Sequence, residues 1–348
     1  MENTITKDTS NKIRIIQVVF TVMVVYIHAY NLDVYGVTRI GGIDSLCYYL
    51  ERILYYITAV AVPGFFFLSG YLFYVNLGRC NIKAKYIKRF YSLVIPYFIW
   101  NTIAYVFWIV LENIPAIAQR LSMTHGWELT PASFVYALMA PVNSPLWYMR
   151  NLFAVLLIAV PLWYCIKQKW GYIPLVGLLI ISVLVKADKY NLIYDIFMFS
   201  FGGYVAIHLN KLFQSKNKHI QRVSIAVLSV YVIISVLLPE IDYKKYGIQL
   251  LVDIVIFLGF WFCFNVNTLG GNKLIAKISG TRTFIYFSHS ILLESMEKLF
   301  FIALGKSVVT ALVDYIIMPV MVVCVLVVIG GFIQKHAVQI WKVLNGYR

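Results

Sequence analysis

Lipid must solvate much of this chain, and the architecture that follows is all-α: a polytopic integral membrane protein of about ten transmembrane helices, with both termini cytoplasmic. Two observations set the solvent. Apolar residues make up 61% of the 348 and charged residues 13%, against about half and about a quarter in an ordinary soluble domain. The apolar residues also fall in long runs, and a spanning helix needs about 20 of them. A third observation, the distribution of the cations, sets the orientation.

The runs cover 15–30, 54–76, 91–111, 146–166, 171–185, 191–209, 223–238, 247–267, 283–304 and 308–333. They are continuous rather than alternating, so a closed barrel is excluded and helices remain as the way to satisfy the backbone in hydrocarbon. Two of them, 171–185 and 223–238, are short and require little tilt or a thin bilayer. The polar segment before the first run lacks a small-residue cleavage pattern, so that run is expected to stay as a span. One membrane domain over 1–348 is expected, flanked by a cytoplasmic segment 1–14 and a cytoplasmic tail 334–348. The loop at about 113–145 is the longest and is read as a connector or a lid.

Thirty Lys and Arg against fifteen Asp and Glu give a net charge of +15. With the N-terminus inside, twenty of the thirty cations fall in the inner segments, among them Lys83, Lys85, Lys88 and Arg89. The positive-inside bias thus accounts for the basicity without nucleic acid. The five cysteines are widely spaced with no metal-ligand pattern, and no metal site is expected.

Against so apolar a background, ionisable residues inside the spans stand out. In the first span Arg14, Gln17, Thr21 and His28 are spaced by 3, 4 and 7, which places them on one helical face. Gln17 and His28 are about 16 Å apart along the axis. Arg150 and His289 are the other exceptions. An imidazole, which titrates near neutrality when unperturbed and is held in its neutral, basic form by burial, is suited to general-base or nucleophilic work.

Five segments carry a resemblance. Val24-Val25-Tyr26-Ile27-His28-Ala29, Val62-Pro63-Gly64-Phe65-Phe66-Phe67-Leu68-Ser69-Gly70-Tyr71-Leu72 and Lys88-Arg89-Phe90-Tyr91-Ser92-Leu93-Val94-Ile95-Pro96-Tyr97 come first. Pro145-Leu146-Trp147-Tyr148-Met149-Arg150 and Thr283-Phe284-Ile285-Tyr286-Phe287-Ser288-His289 follow. In this order they resemble the acyltransferase-3 family of integral membrane O-acyltransferases. The resemblance implies transfer of an acyl group, commonly acetyl, from cytoplasmic acyl-CoA to a hydroxyl of a cell-envelope or exported polysaccharide or its lipid-linked precursor. It implies a multi-pass protein of the cell membrane, with acyl-CoA as co-substrate and no permanently bound cofactor. The expected partners are acyl-CoA, the glycan acceptor and membrane lipid. Some members add a soluble domain; here such an extracytoplasmic acyl-transfer partner would be a separate polypeptide.

On this reading His28 and His289 are the catalytic candidates. Arg14, Gln17, Lys88 and Arg89 are the donor-binding candidates, and Trp147 and Arg150 stabilise the acceptor or the acyl group. The family has a basic residue eleven positions before the first histidine. This chain has Gln17 there, with Arg14 one turn earlier on the same face. A transporter or flippase of a glycan precursor, without covalent chemistry, is the alternative, which paired helix breaks in two similar halves would favour.

Overall fold

The computed structural model describes residues 4–39, 41–75, 77, 81–115, 126–238, 241–264 and 272–347. Arg79, Cys80 and the centre of the longest loop, 116–125, lie outside these residues. Among the described residues there is no strand. The chain divides into two compact units interleaved in sequence. The first comprises 1–23, 52–85 and 151–279, and the second 24–51, 86–150 and 280–348.

In chain order the helices are α1 (Lys7–His28), α2 (Leu32–Tyr35), α3 (Gly42–Thr58), α4 (Ala61–Tyr74), α5 (Ile82–Arg89) and α6 (Ile95–Glu112). They continue as α7 (Pro131–Met139), α8 (Trp147–Leu157), α9 (Ala159–Ile166), α10 (Tyr172–Leu184), α11 (Leu192–His208) and α12 (Asn210–Phe213). The last are α13 (Lys218–Leu237), α14 (Gln249–Cys263), α15 (Lys273–Leu304), α16 (Val308–His336) and α17 (Val338–Leu344). Each of the ten apolar runs overlaps a helix. Among the described residues, five helical stretches are long and apolar enough to cross a membrane: Lys7–Tyr35, Gly42–Tyr74, Ile82–Glu112, Lys218–Leu237 and Val308–His336. The pair α8–α9 makes a sixth if its two arms are one bent span, while α10, α11 and α14 are shorter apolar helices.

Three local differences from the apolar pattern have physical causes. The run 146–166 is bent by 61° between α8 and α9; Pro161, in the first turn of α9, cannot donate to the carbonyl of Leu157 and its ring crowds it. A π-helical turn, Phe90–Val94, joins α5 to α6. It precedes Pro96, which likewise has no N–H for the carbonyl of Ser92, and the wider turn takes up that mismatch. Finally, the long loop contains α7, whose N-cap Thr130 accepts from the Ser133 amide, with Pro131 in its first turn.

The first unit is built on a backbone-to-backbone contact between α4 and α11. A Cβ added at Gly70 would lie 1.9 Å from the carbonyl oxygen of Phe199, and one at Gly202 would lie 2.0 Å from that of Phe67. Small residues allow this approach, and dispersion over the close surfaces holds the helices. Gly64 plays the same part beside the Phe20 ring of α1. In the second unit, α17 returns to α6, where Trp100 Nε1 donates to the Leu344 carbonyl at 3.0 Å.

Candidate functional site

The second unit holds both histidines. His289 lies on α15 with no exposed surface. Its Nδ1 is 2.8 Å from the carbonyl oxygen of Tyr286 and 3.1 Å from that of Ile285. Both partners accept only, so Nδ1 carries the proton of the neutral ring and Nε2 keeps a lone pair. That Nε2 has no hydrogen-bond partner among the described residues. The half-buried His28, at the last turn of α1, faces it with ring centroids 5.3 Å apart and planes at 52°.

The ring contacts extend beyond the pair. Tyr286 lies 6.1 Å from His289, and Tyr148 lies 5.9 Å from Tyr286. The Tyr286 hydroxyl donates to the carbonyl of Pro145, so the Pro145–Arg150 motif and the Thr283–His289 motif clasp each other. Asn143 adds a second clasp, its Nδ2 donating to the Phe287 carbonyl at 2.6 Å. Asn101 on α6 accepts from the Asn143 amide at 3.3 Å and donates to the Ala137 carbonyl at 2.6 Å. The segment 137–150 is thereby tied to α6 on one side and to α15 on the other.

The other candidates are placed unequally. Arg89, half-buried at the end of α5, is within electrostatic range of Tyr148. Lys88 beside it is exposed, and Trp147 is half-buried at the start of α8. Arg150 is exposed, and its Nη1 donates to the Met139 carbonyl at 2.7 Å; that bond fixes the end of α7. Arg14 and Gln17 lie on the part of α1 that belongs to the first unit. The Nε of Arg14 is buried with no partner among the described residues, an atom a donor phosphate or carbonyl could satisfy. Thr21, on the same face, gives its hydroxyl proton to the Gln17 carbonyl at 2.8 Å. The stripe is therefore less polar than its composition suggests.

Among the carboxylates on the helices, Asp195 accepts from Asn151, Asp253 from Tyr194 and Gln249, and Glu294 pairs with Lys298. Glu51 accepts from Cys47 and from the Asn31 amide. None of them bonds His289. Instead the buried Glu51 and Asp314 lie within electrostatic range of each other and of the half-buried Glu297. Asn31 and Tyr35 both donate to Asp314, at 3.2 and 3.1 Å. Asn31 stands one turn beyond His28, and that spacing was the available signal for it. Tyr286 and Tyr148 stood inside two of the five motif segments without a role assigned to them, and Asn143 carried no signal among so many polar residues.

These parts can abstract a proton in a water-poor setting beside a group that needs one removed, which is what acyl transfer to a hydroxyl requires. Among the described residues no three His, Cys, Asp or Glu are grouped to hold a metal ion. No curated protein and no solved structure matches this chain. A family model described as an acyltransferase domain matches residues 11–331, a span containing both histidines and all five motif segments. The helices, the motif clasp around His289 and this match agree: the chain belongs to the acyltransferase-3 family of multi-pass membrane acyltransferases.

Proposed function

We propose that the protein moves an acyl group, in the first place acetyl, from cytoplasmic acyl-CoA to a hydroxyl of a cell-envelope or exported polysaccharide, or of its lipid-linked precursor. The observation that carries this reading is the His28–His289 ring pair, with an unpartnered lone pair on His289 Nε2. His28, the more accessible of the two, takes the proton from the acceptor hydroxyl. The freed oxygen forms a bond to the thioester carbonyl carbon, the C–S bond breaks, and the leaving thiolate recovers the proton from the imidazolium. His289, held by two carbonyls, keeps its base form turned away from Nδ1 and supports the proton transfer. Arg14, Arg89, Lys88 and Gln17 serve the donor, arginine being suited to phosphate and carbonyl recognition. Trp147 and Arg150, both on α8, serve the acceptor or stabilise the acyl group.

The topology that goes with this function has ten spans, both termini cytoplasmic and the cell membrane as its location. The ten helix-bearing apolar runs and the cation bias support it. The test is transfer of labelled acetyl from acetyl-CoA to extracted envelope glycan by the purified protein in lipid nanodiscs. His28→Ala should lower the rate by about 10²-fold or more, the range of a lost general base. Undiminished transfer by that variant would sink the mechanism. Movement of a glycan lipid with no acyl transfer from any acyl-CoA would replace the enzyme by a transporter.

A further inference from the structure

The first unit contains a cavity of about 330 Å³ that includes neither histidine. This volume is in the range of small-ligand pockets. Five tyrosines line it, Tyr55 and Tyr56 from α3, Tyr190 and Tyr243 from two loops, and Tyr231 from α13. We propose that this cavity is a saccharide site that holds a neutral part of the acceptor glycan.

Three features support the assignment. The first is charge: among the described lining residues, Arg52, Lys189 and Lys244 are matched by Asp188, Asp242 and Asp253. The matched set selects neither an anion nor a cation. The second is chemistry. Among the described lining residues, aliphatic and other nonaromatic apolar contributions come from Ala59, Pro63 and Ile241 alone, too few to hold a lipid tail. Tyrosine instead offers a ring face to the C–H face of a sugar and a hydroxyl to its oxygens. Lys189 reinforces the wall, with its Nζ 3.4 Å from the Tyr55 hydroxyl and 5.3 Å from the Tyr190 ring centroid.

The third is position. Segments 186–191 and 241–248 are both extracytoplasmic in the proposed topology, so the mouth faces the compartment where an exported glycan is present. A 2.6 Å ion pair, Lys244 to Asp188, joins these two loops. Deeper in, Asp253 is held by Tyr194 at 2.6 Å and by Gln249 at 3.0 Å, a fixed polar floor rather than a mobile one. The role as acceptor subsite rests on the acyl-transfer reading; sugar binding itself does not.

The experiment is saturation-transfer NMR on the full chain in nanodiscs, without acyl donor. The probes are neutral trisaccharides built on glucose, galactose, mannose and N-acetylglucosamine, with a glucuronate trisaccharide and AMP as competitors. At least one neutral sugar should bind, Tyr190→Ala and Tyr55→Ala should each weaken it at least fivefold, and Tyr190→Trp should retain it. Tyr190 is 61% exposed, so its replacement leaves the fold intact. Absence of binding by every neutral probe at millimolar concentration overturns the proposal, as does stronger binding of glucuronate or AMP, or unchanged affinity in both alanine variants. Binding should persist in His28→Ala. If that variant also keeps full acyl transfer while the tyrosine variants lose sugar, the histidine mechanism falls and the cavity assignment stands.

Discussion

Tyr286 stands between Tyr148 and His289, its ring within 6.1 Å of both and its hydroxyl bonded to the carbonyl of Pro145. One side chain thus holds the proline-led segment before α8 against the turn of α15 that presents the buried histidine. Tyr286→Phe keeps the ring and removes the bond, while the Pro145 carbonyl keeps the backbone amide of Trp147. A loss of about 0.5–1.5 kcal/mol is expected for such a bond. It should appear as a lower Tm in detergent and, because the histidine's backbone partners are Ile285 and Tyr286, as a lower kcat with little change in donor KM.

His289→Gln is expected to lower acyl transfer by about 10²-fold or more while the protein still folds, since the amide can donate to the same carbonyls but cannot act as a base at neutral pH. Helical content by circular dichroism checks the fold. A variant that transfers acyl groups at the parental rate would reduce His289 to a packing residue.

The buried Nε of Arg14 gives a separate expectation. If the guanidinium serves the donor, Arg14→Gln raises the donor KM about tenfold, the equivalent of about 1.4 kcal/mol of binding, with kcat less affected. Steady-state kinetics against acetyl-CoA read both. An unchanged KM would make Arg14 a topology charge alone.

At Gly70 an added methyl meets the Phe199 backbone at 1.9 Å, while at Gly177 it meets nothing within 4 Å. Gly70→Ala should therefore destabilise by about 1–3 kcal/mol or more through overpacking. Gly177→Ala, in a helix interior, should be neutral or stabilising by up to about 1 kcal/mol. Thermal unfolding of the two variants side by side separates steric from propensity effects.

The Lys244 ammonium is held above its ordinary pKa by its hydrogen bond to Asp188 and by that carboxylate's charge. A raised folded-state value means the loop tie is complete below the ordinary lysine value of about 10.5 and is lost as pH rises through the raised one. NMR of the lysine side-chain nitrogens should show this late titration, and Asp188→Asn should return it to the ordinary value.

Much of the architecture could be read from residue order because hydrocarbon imposes a length and a continuity on each helix. The places where helices begin were less legible. α1, α5 and α15 start well before their apolar runs, in lysine-bearing turns that hydropathy scores as loop. His28 and His289 were visible singly, each as an ionisable group in an apolar helix. Their pairing was not, because it depends on how α1 and α15 pack rather than on spacing along either. Tyr148 and Tyr286 stood inside two of the five motif segments, but in a chain with 26 tyrosines no spacing shows that their rings meet. Asn143 was hidden because its role depends on a carbonyl of α15, far away in sequence.

The π turn at Phe90–Val94 sets an index for everything that follows it on α6. A π turn holds one residue more than the α-helical count, and one residue is about 100° of rotation. The wide turn absorbs that residue; winding it instead as ordinary α-helix would swing the faces of α6 by more than a quarter of a circle. Tyr97 and Asn101, which bond the carbonyls of Leu138 and Ala137, would then point away from α7. The segment that steadies Asn143 against α15 is therefore registered by a single surplus residue, immediately after the arginine that ends α5.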